Sequence, residues 1–431
     1  MVGLTRAEAD AQSDPRRFLT DLFDAAVRVA DPMHVVPRHL PQTPKGRLVV
    51  IGAGKASARM AEAVEAHYGP CNGLAITRYG YARPCKGIEI VEAAHPVPDA
   101  AGETATQRML DLVSELGPDD LVLALVSGGG SSLLCAPRDG LTLDDKMAVN
   151  AALLASGAPI GQMNIVRKHL SRVKGGQLAA ACHPARVLTL LISDVPGDDP
   201  AKIASGPTVG EATTPQDARR ILERYGIQVP PSVHNVLEQP ATVIPANDPC
   251  LARAENRIIA APSQSLAVAA RIAEDAGVDV QILGDALEGE ARDLGTKHAK
   301  IALDLQQRSG SSRPRLLLSG GECTVTRLGD GIGGPNAEYV LSAALELNGA
   351  DGIHVMACDT DGVDGAAEIA GAYAGPKMLA TAITSGLNPH KALAENDAHN
   401  FFEVTGGQIV TGPTLTNVND FRAILIHPVN D

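Results

Sequence analysis

The chain has no tryptophan, and aromatic residues make up only 3% of its 431 positions. Its cores must therefore be built from Ala, Val, Leu and Ile, within an overall hydrophobic content of 45% that suits a globular protein. Long apolar runs are missing as well. No stretch of about 18 apolar residues occurs, which excludes a spanning helix. Runs of Lys or Arg are absent and the net charge is −13, so the basic face a nucleic-acid binder needs is not there. Cysteine pairs at C-x-x-C spacing are lacking too. The seven cysteines are scattered and odd in number (Cys71, Cys85, Cys135, Cys182, Cys250, Cys323 and Cys358), which argues for a reducing compartment and against a zinc site. The opening MVGLTRAEADAQSDPRRF has no apolar signal-peptide region. Together these absences predict a cytoplasmic protein with neither membrane nor nucleic-acid partners, acting as a monomer or homodimer on a small molecule.

What the chain does have is a recurring unit: an apolar run of strand length, a Gly/Ser/Asp turn, then an amphipathic stretch. RLVVIGAGK (47–55), LVLALVSGGGSS (121–132), VLTLLISDVPGDD (187–199), RLLLSGGE (315–322) and GIHVMACDTDGVDG (352–365) all follow it. Strands this uniformly apolar are buried on both faces, so the expected fold class is α/β with mainly parallel sheets covered by helices. Helices are expected from Pro15 to about Val29, over 56–67, 144–155, 263–276 and 288–306. Length favours two or three domains. The proline-rich stretch 226–256 marks the expected boundary, giving domains 1–240 and 250–431.

Ligands of open parallel α/β sheets bind at the carboxyl ends of the strands. Gly52-Ala53-Gly54-Lys55-Ala56-Ser57 is half of a dinucleotide fingerprint, with Ser57 where a third glycine would stand. Lys55 begins a helix, where a cation suits the dipole only if both grip one anion. In Ser127-Gly128-Gly129-Gly130-Ser131-Ser132 the glycines let several N–H groups face an anion and the serines add hydroxyls. Position 50 is Val, so this is no Walker P-loop. The most basic stretch, 164–176, carries Arg167, Lys168, Arg172 and Lys174, a possible seat for a carboxylate or polyphosphate, or else a solvated face. Asp194, Asp198 and Asp199 form one acidic turn, and Asp359, Asp361 and Asp364 another. Phosphoryl transfer needs such carboxylates for Mg²⁺ or to accept a hydroxyl proton. Asx-turns use them as well.

The motifs GAGKAS, HPVPD, SGGGSSLL, VRKHLSRVKGGQLA, SDVPGDDPAKIASGPTVG, LSGGECTVT, GGPNAE, DTDGVDG and TGPTLTNVNDFRAIL, in order from about residue 15 onward, resemble the glycerate 2-kinases with a MOFRL-type C-terminal domain. Related proteins have been labelled hydroxypyruvate reductases. The resemblance implies a Rossmann-like N-terminal domain, a MOFRL-like C-terminal domain, an active-site cleft between them, ATP with Mg²⁺, and D-glycerate phosphorylated on its 2-hydroxyl. It gives Lys55 the role of neutralising the transferring phosphate and Asp194 that of base or metal ligand, with Asp198 beside it on the metal. Gly54, Ser127, Gly128, Gly129, Gly130, Ser131, Ser132, Glu322, Asn336, Asp361 and Asn417 fall to the nucleotide, and Arg167, Lys168 and Arg172 to the substrate. Two positions depart from the family pattern. Relatives often carry Arg where Pro335 stands, so either another cation, Arg167 or Arg172, takes its place or activity is lower. They commonly have Gly at Leu415. The competing readings are an NAD(P)H-dependent hydroxypyruvate reductase, for which Arg78 could favour a 2′-phosphate, and a non-catalytic phosphosugar-binding regulator.

Overall fold

The computed structural model describes residues 11–308, 313–365 and 367–428. The first ten residues, part of the segment lacking a signal-peptide pattern, lie outside that set. The chain divides into two compact units, Pro32–Ile259 and the remainder, which joins the N-terminal segment to Ala260 onward.

In the unit Pro32–Ile259, glycine-punctuated apolar runs become six strands: β1 (Leu48–Ala53), β2 (Asn72–Arg78), β3 (Ile88–Ala93), β4 (Leu121–Val126), β5 (Arg186–Ile192) and β6 (Ala254–Ala260). They form one sheet in the order β3-β2-β1-β4-β5-β6, and the pairings β2–β3, β1–β2, β1–β4 and β4–β5 are parallel. This is the strand order of dinucleotide-binding sheets. The order reverses between β1 and β4, so a crevice opens outside their carboxyl ends. Val49, Ile51, Leu74, Ile76, Val122 and Ala124 pack on one face with Met109 and Leu133 of the helical layer. A separate helical cluster gathers Val149, Leu153, Val166, Ile221, Val233 and Val236. The proline-rich stretch is therefore no linker. Its Val233, Val236 and Leu237 are buried, and Ile244 exchanges backbone bonds with Glu211 and Gly175. The boundary falls after β6 rather than near 240, because β6 completes this sheet.

The N-terminal helix Pro15–Val29 has the expected bounds, with the Asp14 carboxylate accepting from the Arg17 N–H at its start. It belongs with the C-terminal half, however. Phe18, Leu19, Leu22 and Phe23 pack with Leu266, Ala269 and Ala273, and the Phe23 and Phe421 rings lie 5.8 Å apart.

That second unit holds β7 (Asp279–Gly284), β9 (Arg315–Gly321), β11 (Ile353–Asp359), β12 (Gly371–Ala374), β13 (Gln408–Ile409) and β14 (Asp420–Ile426), plus the parallel pair β8 (Gly289–Glu290) and β10 (Cys323–Thr324). The six-stranded order is β13-β12-β11-β14-β9-β7. Here the expectation of parallel pairing is corrected: only β7–β9 is parallel, and the other four pairings are antiparallel. The last strand, β14, enters between β9 and β11 and runs against both. Two-sided burial does hold. Along β9, Leu317 faces one cluster while Leu316 and Leu318 face the other, as the period of a strand requires.

All seven cysteines are free thiols. Among the described residues no helix is long and apolar enough to cross a membrane.

Candidate active site

At the β1–β4 switch point the two glycine turns interlock. The Lys55 N–H donates to the Gly128 carbonyl at 2.8 Å, and the Ala56 N–H donates to Ser127 Oγ at 3.0 Å. Gly54 has a φ of +136°, and a β-carbon there would overlap Ser127 Oγ and its carbonyl. Only glycine allows both the dihedral and the approach. Ser57, in the third-glycine position, is fully buried. Its hydroxyl bridges the Gly54 and Ile76 carbonyls at 2.8 Å each, so it locks the turn from behind.

Gly129 has a φ of +77° and leads the short helix Gly130–Leu133. A β-carbon on it would lie 3.0 Å from His95 Nε2 and 3.2 Å from Lys55 Cγ. The ends of β1, β3 and β4 thus bring Lys55, His95 and Gly129 together. His95 opens the HPVPD motif, and only the fold brings it to this turn. Arg78, the residue considered for a 2′-phosphate, stacks on the Tyr81 ring at 4.5 Å.

The basic stretch is not one helical face. Its helix, Ile160–His169, ends at His169. The chain then turns back, with Ser171 bridging Pro137 and the Arg172 N–H donating to the Ala136 carbonyl. Gly175 and Gly176, both with positive φ, complete the turn. The four cations consequently have different fates. Lys168 is buried against Glu211 at 2.5 Å. Arg172 donates to Gln107 at 3.0 Å and lies 3.6 Å from the exposed Asp139. Arg167 donates to Asn164 Oδ1 at 3.1 Å, while its Nε is buried with no hydrogen-bond partner. Lys174 is 3% exposed. Its ammonium donates to the Ser131 carbonyl at 2.6 Å and to the Ser131 hydroxyl at 3.1 Å, and burial lowers its pKa well below that of an ordinary lysine. Ser131 Oγ in turn meets Ser205 Oγ at 2.8 Å. Lys174 was legible only as one charge in a basic run, yet it grips the glycine-serine loop directly. His169 is a buried structural residue. Its Nε2 meets Thr213 Oγ1 at 3.2 Å, and burial lowers its pKa to about 4.

Asp194, Asp198 and Asp199 follow β5 on a tight turn. Asp199 Oδ1 accepts from the Ala201 N–H at 3.0 Å, an Asx-turn. Asp198, at a φ of +52°, keeps Oδ1 buried without a hydrogen-bond partner.

In the other unit, Glu322, Asn336, Asp361 and Asn417 gather at one end of the sheet, where β9 and β11 finish and β14 begins. Glu322 is exposed there. Asn336 is fully buried and donates to Asp420 Oδ1 at 2.7 Å. Asp361, also fully buried, accepts from the Val363 N–H at 2.8 Å. Asn417 accepts from the Asn419 N–H at 3.1 Å. Asp364 is structural: its two oxygens take the Asn336 and Ala337 N–H groups at 2.9 Å and cap the helix Pro335–Leu347. A cavity of about 520 Å³ lies at the opposite end of this sheet, lined by His354, Tyr373, Lys377 and His427 among others. None of the expected site residues lines it.

The sequence matches the family described as domain of unknown function DUF4147 over residues 18–238 and the MOFRL family over 315–420. A D-glycerate 2-kinase from Thermotoga maritima is 37% identical over 95% of this chain and 98% of its own. A protein from Agrobacterium vitis with the provisional name hydroxypyruvate reductase is 52% identical over 95% and 94%. The crystal structure of a glycerate kinase from Thermotoga maritima superposes with a TM-score of 0.86 at 36% identity, covering 96% of this chain and 99% of that one.

The chain belongs to the MOFRL-type glycerate kinase family. It is an enzyme, and a kinase.

In this kinase Pro335 opens its helix at the first turn, a position that needs no backbone donor. The proline is thus accommodated structurally, and no side-chain cation is supplied there. Leu415 adopts a φ of +64°, a region in which a β-carbon costs about 1–2 kcal/mol. Leu415→Gly is expected to recover up to about 1 kcal/mol, read as a raised midpoint in urea. An unchanged or lower midpoint would show that contacts of the leucine side chain outweigh the strain.

Proposed function

We propose that this kinase transfers the terminal phosphate of ATP to the 2-hydroxyl of D-glycerate, yielding 2-phosphoglycerate and ADP. The observation that carries the reading is the Gly129 turn, packed against the Lys55 and His95 side chains at the switch point of the sheet. Glycine at 129 allows this close packing of Lys55 and His95 on the loop, whose backbone N–H groups can face an anion. Lys55 supplies positive charge to the transferring group, and the Ser127–Ser132 loop supplies N–H and hydroxyl donors. The buried, unpartnered Oδ1 of Asp198 is a hard anionic ligand suited to Mg²⁺, with Asp194 on the same turn. Bound Mg²⁺ would neutralise charge on the phosphate oxygens. Asp194 accepts the 2-hydroxyl proton as the substrate oxygen bonds to the γ-phosphorus and the bridging oxygen leaves with ADP. In the C-terminal unit, the buried Asn336, Asp361 and Asn417 shape the loops around the exposed Glu322. Rate enhancement then comes from positioning and electrostatics.

The identity of the Agrobacterium vitis relative keeps one second reading in view, an NAD(P)H-dependent hydroxypyruvate reductase. One assay separates the two. Purified protein with D-glycerate, ATP and Mg²⁺ is expected to give 2-phosphoglycerate by NMR. No phosphoglycerate, with NADPH oxidised by hydroxypyruvate in a parallel tube, would replace the kinase reaction by the reductase one.

A further inference from the structure

Beside the glycine-serine loop the chain gathers more positive charge than it balances. Three elements contribute. The helix Leu143–Ala155 carries Lys146, the helix Ile160–His169 carries Arg167 and Lys168, and the turn after it carries Lys174. The Pro137–Ser171 bridge and the Arg172-to-Ala136 bond draw that turn back along the chain leaving the loop. Lys146 comes up against Cys135, and Lys174 against Ser131. The charges of Lys146, Arg167 and Lys168 all act on Lys174.

One acid neutralises this group at contact distance, and it is already used: Glu211 holds Lys168 at 2.5 Å. Among the described residues Lys146, Arg167 and Lys174 have no ion pair. Glu103 acts on Lys146 only through space. Arg167 has the most telling geometry, since its Nε is buried and unbonded. A buried guanidinium N–H without an acceptor costs free energy that no contact within the fold returns. Burial also lowers the pKa of all three groups. A cluster arranged this way is destabilising when empty, and a bound anion relieves it.

Resting on the glycerate kinase reading above, we propose that Lys146, Arg167 and Lys174 form the subsite for the substrate's carboxylate, so that this kinase selects 2-hydroxy acids over neutral polyols. Lys174 joins the two halves of the site. Its bonds to Ser131 tie the anchored carboxylate to the loop that carries the phosphate donors. Lys168 and Arg172, engaged by Glu211 and Gln107, lie outside the subsite.

The test compares D-glycerate with its uncharged amide, by calorimetric binding and by steady-state kinetics, in the wild type and in Arg167→Gln and Lys146→Met. Lys174 is left intact because its removal would release the loop as well. Each substitution is expected to weaken D-glycerate binding and raise its KM by roughly 10- to 100-fold, the worth of one charge-assisted hydrogen bond. Weak binding of the amide, and the KM for ATP, should not move. If the wild type takes the amide as readily as the acid, or if the variants lose ATP and keep glycerate, the carboxylate assignment falls and the kinase reading stands. If the wild type binds 2-hydroxy acids with the expected loss in both variants yet makes no phosphoglycerate, the subsite stands and the kinase reading falls. Failure of the wild type to bind any 2-hydroxy acid overturns the proposal.

Discussion

Replacing Lys55 with alanine is expected to lower kcat for D-glycerate phosphorylation by at least about 100-fold, the usual cost of deleting one group aimed at developing charge. The fold should persist. Lys55 reaches the site through its side chain, whereas its structural bond, N–H to the Gly128 carbonyl, is made by the backbone and survives the substitution. Gly54, Ser57 and Ser127 hold the turn around it without using the ammonium group. The protein has no tryptophan, so integrity is best followed by far-UV circular dichroism and its thermal transition. An unchanged transition with collapsed kcat assigns the loss to charge at the reacting phosphate. Near-normal turnover would remove Lys55 from the mechanism, and with it the significance of the Gly129 turn.

Most of this rim was legible because glycine leaves a local signature. Gly54 and Gly129 follow uniformly apolar runs, and such runs end at a parallel sheet's binding edge. The strand order that makes β1 and β4 the switch point follows from right-handed crossovers of βαβ units, which the alternation of strands and helices encodes. What stayed hidden depends on contacts remote in sequence. Lys174 looks like any charge in a basic run until the 171–137 bridge carries it 43 residues back to Ser131. Arg172 and Lys168 look equivalent to Arg167 until Gln107 and Glu211 engage them. The strand directions of the C-terminal sheet were hidden for another reason. Helices cover both of its faces, so β9, β11 and β14 read as continuous apolar runs whichever way they point, and hydrophobicity reports burial rather than direction. The domain boundary was misplaced because proline excludes regular helix and sheet without excluding packing, as the buried Val233 and Leu237 show.

The second large effect concerns stability. Arg422 is 1% exposed inside the C-terminal unit, beneath the turn that presents Glu322. Its guanidinium pairs with Asp420, donates to the Gly320 and Gly321 carbonyls at 3.1 Å each, and lies 5.7 Å from the Tyr339 ring centre. Asp420 also accepts from Asn336. Burial raises the Asp420 pKa, and the neighbouring guanidinium opposes that rise. Arg422→Met keeps much of the aliphatic volume but leaves a carboxylate and two carbonyls buried without their donor. Loss of one partner of a buried pair costs about 3–5 kcal/mol, so the C-terminal unit should unfold at a markedly lower urea concentration. The Asp420 pKa then rises further, because the guanidinium no longer opposes the effect of burial. Lowering the pH should accordingly shrink the deficit of the variant, as the protonated form avoids the cost of a buried charge. Asp420→Asn added to Arg422→Met removes that charge outright and should recover part of the loss. A single variant within about 1 kcal/mol of wild type, or a double variant no better than the single, would mean that packing around Tyr339 and Phe421 supports this end of the sheet without the ion pair.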